Sequence, residues 1–261
     1  MGRSEFFNLG DIFPVDGNWD KVALIDCRNW GHPVEYSYTQ LDEAADSCAR
    51  GLIARGFKAG DAIAIMSSNR AEFITSFMGI LRAAMIAVPI NFKFRANIID
   101  FIFTDSNIKG VICDCQRSEG LQTNLPVLNF DDLGSNGYLA MLDPGSFETN
   151  DVDPDTTAMV LYTSGSTGKP KGVLLTHGGH LWAHNCRVTR AINSSHHRLL
   201  VAAPLYHMNA LCVLLFAFGI NATTVLLPQF LAEHYIAAVE RFKCTWLTSV
   251  PTMMAICLAD S

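Results

Sequence analysis

DAIAIMSSNRAEFITSFMGILRAAMIAVPINFKFRANIIDFIFTDSNIKGVIC, from Asp61 to Cys113, decides the fold class. Asp61–Met66 is a run of Ala, Ile and Met, and a helical pattern over Ala71–Ala83 follows it. A second apolar run, Ile86–Ile90, leads into a second helical pattern over Arg95–Asp105 and then a third run, Gly110–Cys113. The runs are almost continuously apolar, which suits strands of a parallel sheet covered on both faces. Strand–helix alternation with short turns predicts an α/β fold with doubly wound sheets and helices on both faces.

The pattern continues on either side. Upstream, Val34–Tyr38 reads as a strand, Thr39 as a helix cap and Gln40–Arg55 as a helix, with Leu41, Ala44, Ala45, Cys48, Leu52 and Ile53 on its apolar face. Gly56 stands where a helix-ending glycine belongs. Downstream, strands are expected at Ala158–Tyr162, Gly172–Thr176, Leu199–Ala203, Thr223–Leu227 and Thr245–Val250. Helices are expected at Gly179–Ala191, Asn209–Phe218 and Ala232–Phe242, with a last one opening at Pro251. The acidic, Pro- and Gly-bearing stretch Asp143–Asp155 (DPGSFETNDVDPD) breaks the alternation and reads as a surface linker between sub-regions 1–142 and 156–261.

Composition narrows the class. Of 261 residues, 49% are hydrophobic and 17% charged, which excludes a disordered tail or a solvated coiled coil. The net charge of −6 is unevenly spread. Ser118–Gly168 holds eight acids (Glu119, Asp131, Asp132, Asp143, Glu148, Asp151, Asp153 and Asp155) and no Lys or Arg. From Lys169 onward, seven Lys/Arg face only Glu233, Glu240 and Asp260. There is no basic stripe with interleaved aromatics, so extended nucleic-acid binding is not expected, whereas a small anion suits the C-terminal third. The eight cysteines form no CxxC pair and sit mostly in apolar runs, as buried free thiols of a reducing compartment do. No apolar stretch reaches the roughly 20 residues of a membrane-spanning helix, so a cytoplasmic protein with no transmembrane segment is expected.

Between two expected strands lies Thr163-Ser164-Gly165-Ser166-Thr167-Gly168-Lys169-Pro170-Lys171. Glycines let backbone N–H groups approach an anion, hydroxyls donate further hydrogen bonds, and lysines neutralise charge. The segment is no Walker A loop, because Gly168-Lys169 is followed by Pro170. It joins two strands and opens no helix. Its chemistry allows two readings, a phosphate cradle or a polar hairpin turn with solvated lysines.

The whole segment Leu161–Gly172 (LYTSGSTGKPKG) resembles the signature of the adenylate-forming, or AMP-binding, superfamily. Pro204-Leu205-Tyr206-His207-Met208-Asn209 is similar to that family's next motif, and Tyr38–Leu41, Gly60-Asp61 and Val88–Asn91 show weaker likeness. The style is that of acyl-CoA synthetases and coumarate–CoA ligases. The resemblance implies ATP phosphate binding by Thr163, Ser164, Gly165, Ser166, Thr167, Gly168 and Lys169, with Lys171 as supporting charge. It implies acyl-pocket lining by His207, Met208 and Asn209, with His207 at a strand's carboxyl end. It implies ATP-dependent conversion of a carboxylic acid to an acyl-adenylate and then to a CoA thioester, with Mg²⁺ held by a glutamate expected beyond this chain. The family's ribose aspartate, hinge and C-terminal lysine are not matched either. The chain is therefore expected to be an incomplete N-terminal domain over 1–261, lacking the small C-terminal domain and inactive alone. Homo-oligomerisation is compatible with the sequence. An adenylation domain loading a carrier protein, or a non-catalytic nucleotide-binding fragment, stand as alternatives.

Other constellations carry less. His177, His180 and His184 share a helical face, but no acid lies between Lys169 and Leu231 and H-E-x-x-H is absent, so no metal site is expected. Ser164 and Ser166 lack the G-x-S-x-G spacing of a hydrolase nucleophile.

Overall fold

The computed structural model describes residues 8–163, 169–191 and 193–259. In chain order the elements are β1 (Val22–Asp26), β2 (Val34–Ser37), α1 (Tyr38–Ala54), β3 (Ala62–Met66), α2 (Ala71–Arg82), β4 (Ile86–Pro89), α3 (Ala96–Asp105) and β5 (Ile108–Cys113). There follow α4 (Cys115–Ser118), β6 (Val127–Asn129), α5 (Tyr138–Met141), β7 (Thr157–Thr163), β8 (Lys171–Thr176) and α6 (His177–Val188). The series closes with β9 (Arg198–Val201), α7 (Met208–Gly219), β10 (Thr223–Leu226), α8 (Ala232–Arg241), β11 (Trp246–Leu247) and α9 (Pro251–Ala259).

Two compact units interleave along the chain. The first holds residues 1–11, 42–67 and 72–182. Its six-stranded sheet has the order β6-β5-β3-β4-β7-β8. β3, every residue of it buried, lies between β5 and β4 and runs parallel to both. β7 runs parallel to β4, and only the edge strand β8 is antiparallel. Ala64, Met66, Val88, Ile102, Val111 and Val160 pack into one cluster on this sheet. Burial of such runs, at about 25 cal/mol per Å² of apolar surface, is what holds the sheet.

The second unit holds residues 12–41, 68–71 and 183–261. Its sheet has the order β11-β9-β10-β1-β2, parallel except for β2. Ile25, Leu200, Val225, Tyr235 and Phe242 form part of its core. Phe13, Tyr38 and Phe218 meet edge to face, and the Tyr38 hydroxyl donates to the Ala222 carbonyl at 2.7 Å. The α/β class with helices and multi-stranded sheets thus holds, and the departure from a wholly parallel pattern is confined to β2 and β8, both at sheet edges.

Several boundaries differ from the sequence expectation. α1 starts at Tyr38, so Thr39 is inside the helix and Ser37 is the cap. The Ser37 hydroxyl accepts from the Gln40 amide at 3.2 Å, and the Gln40 side chain accepts from the Ser37 amide at 2.8 Å, a reciprocal capping box. Gly56, at φ +91°, does follow the helix in the left-handed region. β1 was not expected from the sequence at all. The last strand shrinks to Trp246–Leu247, because Thr245 and Thr248 turn their hydroxyls to hydrogen bonds with β9.

The acidic stretch 143–155 does not separate the compact units. Strands on both sides of it belong to the first unit's sheet, and it is tied down there. Asp143 pairs with Arg50 at 2.9 Å, the Phe147 amide donates to Asp46, and the Asn150 amide donates to the Arg82 carbonyl. All eight cysteines are free; Cys27, Cys48 and Cys113 are buried, but Cys115 is exposed.

Candidate functional site

The chemistry-bearing loop is the turn of the β7–β8 hairpin. Tyr162 pairs with Gly172 and Thr163 with Lys171 in antiparallel register, so the two strands bring the loop's ends together. β7 is parallel to β4, so the loop leaves the sheet at the carboxyl edge of its parallel strands, where open α/β sheets bind ligands. Thr163, Lys169 and Lys171 are exposed. Ser164, Gly165, Ser166, Thr167 and Gly168 lie outside the described residues. The Lys169 ammonium sits 5.6 Å from the centroid of the Phe101 ring, within cation–π range.

Beneath the loop, the Tyr162 hydroxyl donates to Asp105 Oδ2 at 2.6 Å and lies 2.7 Å from Ser106 Oγ. Desolvation, then the bond to Asp105, pushes the Tyr162 phenol up to about 12. It is a neutral donor under all ordinary conditions.

The second set of expected residues is in the second unit. β9 ends at Val201, and Ala202–Tyr206 lead to His207, the residue that precedes α7 in extended conformation at φ −105°, ψ 138°. The Leu211 amide closes the first helical bond on the His207 carbonyl at 3.2 Å. His207 and Asn209 are exposed and Met208 is half-buried. The Tyr206 ring meets the His207 imidazole edge to face at 4.7 Å, and partial desolvation lowers the His207 pKa. A strand-end histidine was expected here; its exposure follows from its place ahead of the helix, outside the sheet.

One residue that sequence reading missed organises this segment. Asn69 is 2% exposed. Its Nδ2 donates to the Ala203 and Leu227 carbonyls, each at 3.0 Å, and its Oδ1 accepts from the Leu205 amide at 2.8 Å. One amide side chain thereby joins the ends of β9 and β10 and fixes the backbone two residues before His207. Only the isolated polar triplet Ser67-Ser68-Asn69 after an apolar strand could have signalled it.

Asp26, at the carboxyl end of β1, is also buried; it accepts from the Arg28 amide at 2.8 Å and from the Ala71 amide at 2.9 Å. The histidines of α6 do not assemble as ligands. His177 Nδ1 accepts from the Leu9 amide at 3.0 Å, and His184 packs on Gly219, where an added Cβ would lie 2.4 Å from the ring. Burial lowers each of these pKa values to about 4. Among the described residues no group of three or more His, Cys, Asp or Glu could hold a metal.

A family model described as "AMP-binding enzyme" matches residues 15–261. A feruloyl-CoA synthase from an Amycolatopsis species is 30% identical over 227 residues, which cover 83% of this chain and 44% of that protein. ATP-bound MatB from Rhodopseudomonas palustris superposes with a TM-score of 0.82 at 26% identity, over 96% of this chain and 50% of that one. The o-succinylbenzoate CoA synthetase of Bacillus subtilis, in complex with its acyl-adenylate intermediate, gives 0.77 at 26% identity, over 94% and 65%. The chain thus spans about half the length of the curated relatives it matches.

Proposed function

The chain belongs to the AMP-binding enzyme family, and on that premise we propose that the whole protein is an acid–thiol ligase of the acyl-CoA synthetase type. A carboxylate attacks the α-phosphorus of ATP, pyrophosphate leaves, and an acyl-adenylate forms. The thiolate of CoA then attacks the acyl carbon and AMP leaves. The observation that carries the reading is the β7–β8 hairpin, which presents Thr163, Lys169 and Lys171 around the Gly- and hydroxyl-rich segment 164–168 at the carboxyl edge of a parallel sheet. The names of the relatives, CoA ligases and an ATP complex among them, support it.

In this reading Thr163, Ser164, Gly165, Ser166, Thr167, Gly168 and Lys169 hold the β- and γ-phosphates, and Lys171 supplies further positive charge. Attack by an anion on a triphosphate of about four negative charges needs preorganised donors and cations, and the sequence Thr163–Lys171 is rich in both. His207, Met208 and Asn209 line the acid's pocket. Mg²⁺ would be carried largely by the phosphates, with a carboxylate from elsewhere in the protein. Mg²⁺ would neutralise phosphate charge. The acid, ATP and CoA are the partners, with no nucleic acid, and residence is cytoplasmic; no helix among the described residues is long and apolar enough to cross a membrane. The chain is, in this reading, part of the N-terminal domain of a longer protein; that it covers only 44% of the feruloyl-CoA synthase supports the greater length.

A coupled pyrophosphate-release assay on the full-length parent tests the proposal. Lys171→Ala is expected to slow adenylation by roughly 10²–10³-fold, the usual cost of losing one charged contact to a reacting group. Wild-type pyrophosphate release from that variant would remove the phosphate role of the loop.

A further inference from the structure

We propose that Tyr162, held by Asp105 and Ser106, is a positioning residue that fixes the base of the phosphate loop; this rests on the reading of Thr163–Lys171 as an anion cradle. Tyr162 is the last residue but one of β7, and its hydroxyl reaches out of the sheet to the end of α3. A phenol has one proton, and here it goes to Asp105 Oδ2 at 2.6 Å. The Ser106 hydroxyl, at 2.7 Å, then donates to the phenol oxygen. Asp105 is the last residue of α3 and Ser106 its C-cap, so both bonds end on one rigid point.

The ring also locks the opposite strand. A Cβ on Gly172 would lie 3.0 Å from Tyr162 Cζ, 3.2 Å from its hydroxyl and 3.1 Å from Val160 Cγ1. Gly172 is the cross-strand partner of Tyr162, so the bare backbone of β8 lies under the ring. The two strand ends and the helix end therefore meet at one side chain. On the far limb of the loop, Lys169 lies over Phe101, four residues before Asp105 and so on the same face of α3. One helical face thus receives both limbs of the loop.

The function of such a tether follows from what an anion cradle requires. Any ordering of a donor loop on binding lowers affinity. Fixing both limbs in advance reduces that cost, and preorganised donors are those that stabilise developing charge. Tyr162 and Ser106 are only half-buried and Asp105 is exposed, so their bonds contribute little to global stability.

The test measures binding of ATP–Mg²⁺, and separately of inorganic pyrophosphate, by calorimetry to the 261-residue chain. Amide hydrogen exchange at Thr163, Lys171 and Gly172 is followed in parallel. Tyr162→Phe removes one oxygen. It is expected to weaken both probes about tenfold, the worth of one hydrogen bond, and to speed exchange at those amides while the unfolding midpoint stays at the wild-type value. Ser106→Ala and Asp105→Asn should move in the same direction by less. In the full-length parent Tyr162→Phe should raise the KM for ATP and leave the KM for the acid unchanged. Unchanged exchange in Tyr162→Phe overturns the tether whatever the ligands do. Unchanged affinity overturns its functional role, as does an affinity loss seen only with a lowered unfolding midpoint. Failure of the wild-type chain to bind either probe sinks the anion-cradle reading itself, which the exchange measurement tells apart from failure of the tether.

Discussion

Asn69 and the two buried histidines show opposite ways of burying a polar side chain. Asn69 saturates its carbonyl and both amide hydrogens, so removing it strands two carbonyls and an N–H in the core. Asn69→Ala is expected to cost roughly 1–3 kcal/mol in urea unfolding, and in the full-length parent to disturb acid selection through the backbone at Leu205. His177 and His184 are instead buried neutral. Their folded pKa values, about 4, lie below the ordinary imidazole value of 6.5. Between those limits the unfolded chain binds more protons than the folded one, so stability falls as pH falls, beginning near 6.5 and ending near 4. The Nδ1 of His177 already accepts from Leu9, leaving no room for a second proton there. Stability should drop by roughly 3–4 kcal/mol for the pair between pH 7 and 5. A flat denaturation midpoint over that range would contradict neutral burial.

Elements were legible where pattern and length agreed. β3, α2, β4 and α3 fall within a few residues of the ranges read from the sequence, because their apolar runs are buried on both faces or on one clear helical stripe. β1 was missed because Val22–Asp26 is flanked by Trp19, Asp20 and Arg28 and its partner β10 is distant in sequence; no local period announces it. The start of α1 was misplaced by one capping decision. Thr39 and Ser37 are both competent caps, and the choice falls to Ser37 because Gln40 stands three residues on and can return the bond. Ser37→Ala should therefore destabilise the protein by about 1 kcal/mol, measured by thermal or urea unfolding. For the candidate site, the hairpin's place and the strand-end position of His207 were readable from composition and order. Asn69 and the Tyr162–Asp105–Ser106 contact were not, since each depends on partners that only tertiary structure brings near.

At the scale of the whole chain, exposed apolar edges dominate behaviour in solution. β8 closes the six-stranded sheet with Leu174 68% exposed and Val173 43% exposed, and in the same unit Trp182 of α6 is 72% exposed. An apolar edge strand is a template for another strand. The isolated chain is expected to self-associate with rising concentration, and Leu174→Lys to reduce this without lowering the unfolding midpoint. Sedimentation velocity at several concentrations checks it; a monodisperse wild-type monomer throughout would refute it.

The pairing of β1 with β10 also sets a timetable for biosynthesis. Leu24 lies beside Thr224, so β1 gains its parallel neighbour only after about two hundred further residues have been made. At the ribosome's usual pace of roughly 5–20 residues per second, that wait is on the order of 10–40 s. The first unit's sheet is complete once β8 has emerged at Thr176, while Val22–Asp26, four of whose five residues are buried in the folded protein, must stay unpaired on its β10 side and wet until the second sheet can close. Over those roughly two hundred residues the nascent polypeptide therefore carries an apolar strand short of its parallel neighbour, an interval of aggregation hazard that closes only when Thr223–Leu226 arrives.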